Sequence, residues 1–397
     1  MVPGGGIKLD EARTYSGPIR EDQRIKPGEM LIALTDITQE GKVLGTPALL
    51  PKAGNGEFAV THHVARVIVN SPKELDTQFL FYLIRGQDFK NYVRGVVTGT
   101  TVRAVSVGDV LSYEAEMPPL PEQRAIARVL GSLDDKIELN RRMNHTLEEI
   151  CRALFKFWFV NFGPVRAKAE GRWKKGESLL GMPADMWDLW PSEFEESEIG
   201  EIPKGWAVGG LGEVSTCRRE MVDPREVDPE GRYVGLEHIT PSSLSLWNWG
   251  RVGDTVSGKA RFNRGDVLFG KLRPYFHKVC VPSFDGVAST DILGITPKSS
   301  HWFGFVLGHL DSSDLVDYAT AASNGTKMPR TNWADLASWQ VAIPSAELAQ
   351  AFSSQIAPLI SKLGPGIEES RVLAATRDTL LPKLLSGEIR VPSAGGA

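Results

Sequence analysis

The sequence predicts an α+β protein: two β-rich domains joined by two long antiparallel helices, related as a pseudo-twofold internal repeat. Three observations predict it. A proline-bounded helix with a heptad rhythm occupies the middle of the chain. A second helical segment closes the chain, and a constant offset of 226 residues aligns the two.

The middle helix covers 118–158. Pro118, Pro119 and Pro121 bar helix before it, and Pro121 fits a first turn, where its missing N–H costs nothing. Ile126, Leu130, Leu133 and Ile137, then Leu147, Cys151 and Leu154, alternate steps of four and three. That period of 3.5 is a coiled-coil seam. The same rhythm places Asn140 and Asn144 on the seam, where a buried amide sets register and partner at a cost in stability. A helix of roughly 36 residues is about 54 Å long, too long for the interior of a small domain, and needs a partner helix.

The repeat supplies the partner. At the 226-residue offset Gly99-Thr100 falls on Gly325-Thr326, Asp109-Val110 on Asp335-Leu336, and Met117-Pro118 on Ile343-Pro344. The seam follows: Ile126 with Phe352, Leu130 with Ile356, Leu133 with Leu359, Ile137 with Leu363 and Leu147 with Leu373. Asn140 and Asn144 fall on Gly366 and Ser370, so antiparallel pairing brings two polar middles together. Pro358 and Gly364-Pro365-Gly366 predict a bent or interrupted second helix. Upstream the offset drifts: residues 27–31 resemble 264–268, and 58–61 resemble 287–290.

These signals divide the chain into a first β-rich domain (1–119), a central helix (120–159), a connector (160–202), a second β-rich domain (203–344), a C-terminal helix (345–390) and a tail (391–397). In the first domain 29–34 reads as a strand, 58–70 as a strand or hairpin, 79–89 as one short helix, and 96–118 as a Gly/Thr loop leading into a strand. The connector holds the acidic tract 192–201, read as a solvated loop, and four aromatics (Trp173, Trp187, Trp190, Phe194) that predict packing. Only 27 residues precede Gly28, whereas 62 separate Pro203 from Gly265, so the first domain is expected to be shortened at its N-terminus.

The chain has 397 residues with 42% hydrophobic and 24% charged content, ordinary values for a globular protein. No apolar run has membrane-spanning length and no signal peptide is visible, which together predict a cytoplasmic protein. Cys151, Cys217 and Cys280 are too few and too scattered for a disulfide framework or a zinc pattern. His62-His63 lacks a third ligand. GDTVSGK at 253–259 imitates a phosphate loop, but Ala260 stands where a metal-binding hydroxyl is required and no apolar strand precedes it. No metal, cofactor or catalytic residue is predicted.

A net charge of −4 averages over a basic stretch, 261–278, which carries Arg261, Arg264, Lys271, Arg273 and Lys278 against one acid, Asp266. Tyr275, Phe276 and His277 are interleaved. Lysine and arginine neutralise phosphates, and arginine pairs with guanine edges. A strand with a solvated basic face is the other reading. The Gly-Thr loop recurs in both copies, with Thr100 and Arg103 in one and Thr326, Lys327 and Arg330 in the other. Backbone N–H groups, hydroxyls and a cation suit a phosphate or a base edge; a plain glycine turn is the other reading.

PPLPEQRAIARVLGSLDDKIELNRR after a Gly-Thr loop, RGDVLFGKLRPYFHKV, GVASTDIL and the closing LLPKLLSGEIRVP resemble type I restriction–modification specificity subunits from about residue 20 onward. The resemblance implies a non-catalytic reader of double-stranded DNA. Its two target-recognition domains would each read half of a split, asymmetric site. The paired helices would space them and dock two adenine-methyltransferase subunits, and a motor-nuclease subunit would join for cleavage. Such a ruler would set half-sites about one helical turn apart. The alternative is a coiled-coil scaffold joining two protein-binding globules.

Overall fold

A computed structural model describes residues 6–7, 12, 14–36, 41–51, 57–99, 102–179, 181–323 and 328–391. The chain divides into two compact units, 1–137 with 371–397, and 138–370.

The first unit is built on a short buried strand. Its strands are β1 (Arg24–Ile25), β2 (Met30–Ala33), β3 (Thr35–Asp36), β4 (Pro47–Leu49), β5 (Phe58–Ala59) and β6 (Val64–Val67). β2 is buried along its whole length and pairs antiparallel with β4 and β6 on either side. Next come α1 (Thr77–Arg85) and α2 (Gln87–Val96), where the sequence predicts a single helix. The break is Gly86, where a Cβ would lie 2.9 Å from the Leu83 carbonyl and 3.0 Å from Leu385. Asp76 starts α1 by accepting the amides of Gln78 and Phe79.

After the two-residue strand β7 (Arg103–Ala104), paired with β3, the predicted strand is instead α3 (Val107–Leu111). Ser106 and Asp109 form a capping box there, and this local chemistry outweighs the β-branched residues. α4 (Leu120–Phe155) follows as one continuous helix and ends in a π-helical turn, Lys156–Val160. Buried Gln123 fixes its start, donating to the Glu74 and Pro118 carbonyls and accepting the Asp76 amide. Met30, Ile32, Phe79, Tyr82, Phe89, Ile126 and Leu130 share one core with Leu381 and Leu384 from the end of the chain.

In the second unit, which takes in α4 from residue 138, α5 (Gly163–Ala169) follows, and the connector packs as predicted from its aromatics: Trp173 and Trp190 are buried. The acidic tract is not a loop but a hairpin, β8 (Phe194–Ser197) and β9 (Gly200–Pro203), whose glutamates stay at the surface. Then come β10 (Ala207–Gly210), β11 (Ser215–Cys217), β12 (Met221–Val222), β13 (Arg232–Val234), β14 (Gly250–Arg251), β15 (Lys259–Phe262), β16 (Val267–Gly270), β17 (Val279–Cys280), β18 (Gly286–Ala288) and β19 (Ile292–Pro297). One sheet has the order β11-β19-β16-β17, and a five-stranded sheet has the order β12-β15-β18-β13-β14. α6 (Phe303–Leu310), α7 (Ser313–Ala321) and α8 (Trp333–Ala337) precede β20 (Gln340–Ile343), which pairs with β10. At Gly308 the approach of α6 is so close that a Cβ would fall 2.0 Å from the ring of Phe155.

The second helical segment is two helices, α9 (Ala346–Ser361) and α10 (Leu363–Leu385). The interruption falls at Lys362. Pro358 sits exposed inside α9, and Pro365 falls in the first turn of α10, where proline is tolerated. Among the predicted seam residues Ile126, Leu130, Ile137, Asn140, Asn144 and Leu363 are buried, and Leu147 and Leu359 pack against the core. Leu133 and Leu373 are only partly buried and join no core cluster among the described residues. Beside them the seam turns polar: Asp134 accepts the Tyr82 hydroxyl at 2.8 Å and Arg85 at 2.9 Å, and pairs with Arg377.

The polar middle lies within the second unit. Asn140 Nδ2 donates to Glu369 Oε2 at 2.8 Å and Ser370 Oγ at 3.2 Å, and Asn144 Nδ2 donates to the Leu363 carbonyl at 3.1 Å. As numbering rises on α4 it falls on α10, so the pairing is antiparallel. Among the described residues no helix is long and apolar enough to cross a membrane.

Candidate nucleic-acid interface

The basic stretch of the second unit does not form one face. β16 separates Arg264, on the turn before it, from Lys271, after it. Arg261 pairs with Glu220 at 2.8 Å. Lys278 folds inward to the Leu236 carbonyl at 2.5 Å, and burial pulls its pKa below the usual lysine range. Asp266 is buried and holds the Asn263 amide, Thr296 and Arg218, so it neutralises no surface cation of the stretch. Arg264 gives its amide to Asp285 at 2.7 Å and leaves its side chain exposed.

Lys271, Arg273 and Arg330 do come together. The Lys271 amide donates to the Asp291 carbonyl at 2.9 Å, the Arg273 amide to Pro329 at 2.8 Å, and Thr331 to Lys271 at 3.1 Å. Leu272 and Arg330 form an antiparallel bridge. Arg330, exposed, reaches Asp291 at 3.4 Å. From Arg273 the chain enters a tight turn, Pro274–Phe276, closed by His277. Arg273 and His277 are both left-handed, with φ of 51° and 49°. A non-glycine residue there costs roughly 1–3 kcal/mol, a strain that collects at functional loops.

In the first unit Arg103 lies on β7 over Gly41, whose left-handed φ of 61° and lack of a side chain leave room for the guanidinium. Lys42, Lys90, Arg94 and Arg103 line a cleft of about 240 Å³, with no carboxylate among its described lining residues. Burial, reinforced by Arg85, lowers the pKa of Lys90. Lys90 and Arg94 are absent from the sequence-based prediction, yet their i, i+4 spacing on α2 put both on one face. Thr100, Thr326 and Lys327 lie outside the described residues.

The two copies match in local structure as well as sequence. β2 with β4 and β6 corresponds to β16 with β17 and β19, and the Ser106–Asp109 capping box to one formed by Asn332 and Asp335. Thr35 pairs with Ala104 as Leu272 bridges Arg330. In the false phosphate loop Lys259 turns back onto Ser257, which offers an anion no cradle. Among the described residues no group of three His, Cys, Asp or Glu could hold a metal.

A family model described as the type I restriction modification DNA specificity domain matches residues 14–149. The EcoDI specificity subunit of a type I restriction enzyme from Escherichia coli is 25% identical over 313 residues, covering 75% of this chain and 67% of that protein. The MjaIX specificity subunit from Methanocaldococcus jannaschii is 26% identical over 366 residues, covering 87% of this chain and 78% of that protein. Among solved structures, the type I S subunit from M. genitalium aligns over 91% of this chain and 84% of its own, with 16% identity and a TM-score of 0.46.

Proposed function

We propose that the chain is a type I restriction–modification specificity subunit, as its matches to that family support, and that it reads a split, asymmetric site in double-stranded DNA for partner subunits that carry the chemistry. Those partners are two adenine-methyltransferase subunits, with a motor-nuclease subunit joining for cleavage, all in the cytoplasm. The chain itself contributes recognition and spacing and no catalytic group. Residues 1–119 and 203–344 each take one half-site, and the helices at 120–159 and 345–390 space them.

The duplicated cation site supports this reading best. Arg103, on β7, and Arg330, at an isolated bridge, stand within one residue of equivalent places, each just before a capping-box helix. A protein that presents similar cations twice suits a ligand with repeating phosphates.

Genome-wide mapping of adenine methylation, with the gene present and deleted, tests the proposal. A bipartite motif should vanish on deletion and return on complementation. An unchanged methylation pattern would refute the reading and favour the scaffold.

A further inference from the structure

We propose that Tyr275 and Phe276 form an aromatic wedge that enters the base stack of the DNA half-site read by the second unit. The inference rests on the DNA-reading function above and adds a contact that cations alone do not provide.

Three independent observations carry it. The rings are exposed, at 50% for Tyr275 and 44% for Phe276, with centroids 4.7 Å apart. Two adjacent aromatics standing in water form an apolar patch, which marks a contact surface. The turn that presents them is held rigidly. Its entry and exit residues are both left-handed. The Arg273 amide is tied to Pro329, and the His277 carbonyl accepts the Ser242 amide at 2.8 Å. The His277 ring reaches the Asp311 carbonyl at 3.0 Å, and Pro274 is buried beneath. The rings are thereby fixed outward with little freedom left to lose on binding.

The surroundings select the partner. Lys271 and Arg273 lead the chain into the turn, Arg330 is bridged to Leu272 between them and pairs with Asp291, and α7, which packs on the turn, carries the exposed carboxylates Asp314 and Asp317. A protein hot spot draws its energy from an apolar pocket. An apolar tip with Lys271, Arg273 and Arg330 at its root instead matches a base step, with phosphates on both sides and apolar ring faces between. Proteins that kink DNA insert such side chains between base pairs and recover the unstacking cost from added contacts. The wedge would also select for deformable pyrimidine–purine steps without touching a base edge.

The test uses the complex assembled with its modification subunits and duplexes carrying the methylated motif. 2-Aminopurine is placed in turn at each position of the half-site except the methylated base. Wild type should show raised emission at one step. Tyr275→Ala with Phe276→Ala should abolish the rise and weaken binding about tenfold while leaving the salt slope unchanged. Phe276→Leu, which keeps apolar bulk without the ring, should also lose the rise. A specific complex with a flat emission profile overturns the wedge alone. So does a double variant that fails to join the modification subunits in the absence of DNA, since the rings would then be a protein contact. A wild-type complex with no sequence preference overturns the DNA reading itself, and the wedge with it.

Discussion

Arg152 on α4 donates its Nε to the carboxylate of Asp311 at 2.7 Å, and that carboxylate is almost wholly buried. Arg152 also caps the Ser242 carbonyl at 2.9 Å, while His277 reaches Asp311 from the strained turn. One ion pair therefore ties the long helix, the end of α6 and the turn carrying Tyr275 and Phe276. The guanidinium is held charged by Asp311, which outweighs the burial acting against it.

Arg152→Ala should accordingly cost up to about 3–5 kcal/mol in the stability of the second unit, because it leaves a buried carboxylate with only the His277 ring, at 3.4 Å, beside it. Arg152→Met combined with Asp311→Asn should cost clearly less than the sum of the single changes. Urea titration of all four proteins completes the cycle. Additive losses would mean that the pair does not act as a unit.

Gly366→Ala tests the helix crossing. In an exposed helix this change stabilises by about 1 kcal/mol. Here the new Cβ would lie 3.1 Å from Asn144 Oδ1, and Asn144 cannot retreat easily, since its Nδ2 is bound to Ser245 and Leu363. The expected outcome is a net loss of about 1–3 kcal/mol from overpacking, read as a lower midpoint in denaturant. A higher midpoint would show that the crossing has room to spare.

His309 gives a pH signature. Its Nε2 is buried without a hydrogen-bond partner between Phe155 and Phe305, and burial pulls its pKa down to about 3. An unfolded histidine titrates near 6.5. Between those values the unfolded chain takes up a proton that the folded chain refuses. Stability should therefore fall as pH falls below about 6.5, at up to about 1.4 kcal/mol per pH unit from this group. His309→Phe should flatten that slope in thermal melts between pH 6.5 and pH 4, and an unaltered slope would remove His309 from the account.

Salt dependence separates surface cations from committed ones. Lys271→Ala should weaken DNA binding by the assembled complex and lower the slope of log affinity against log salt by about 1, and Arg330→Ala should do so by less, because Asp291 lies 3.4 Å from its guanidinium. Lys278→Ala and Arg261→Ala should leave the slope unchanged, because those cations already serve Leu236 and Glu220. Equal slopes for all four variants would dissolve the distinction.

Much of the framework was legible because it is periodic. A heptad seam states which helix faces bury, and a fixed offset between Asn140 and Gly366 states where two helices cross. The failures come from shorter-range chemistry. Residues 107–111 look like the start of a strand until the Ser106–Asp109 capping box is weighed. The seam near Leu133 and Leu373 gives way to Asp134 because Tyr82, Arg85 and Arg377 come from distant parts of the chain. The basic stretch reads as one patch, but a strand of only four residues places Arg264 and Lys271 at opposite ends and turns Lys278 inward. The left-handed Arg273 carries no sequence signal, since glycine, asparagine, aspartate or histidine usually marks such positions.

The most direct measurement exchanges residues 203–344 for the corresponding segment of a known type I specificity subunit and maps adenine methylation in cells. One half of the bipartite motif should change to that of the donor, while the other half and the spacing between them stay as they were. A motif unchanged in both halves, in cells where the exchanged chain is assembled and methylation persists, would contradict it.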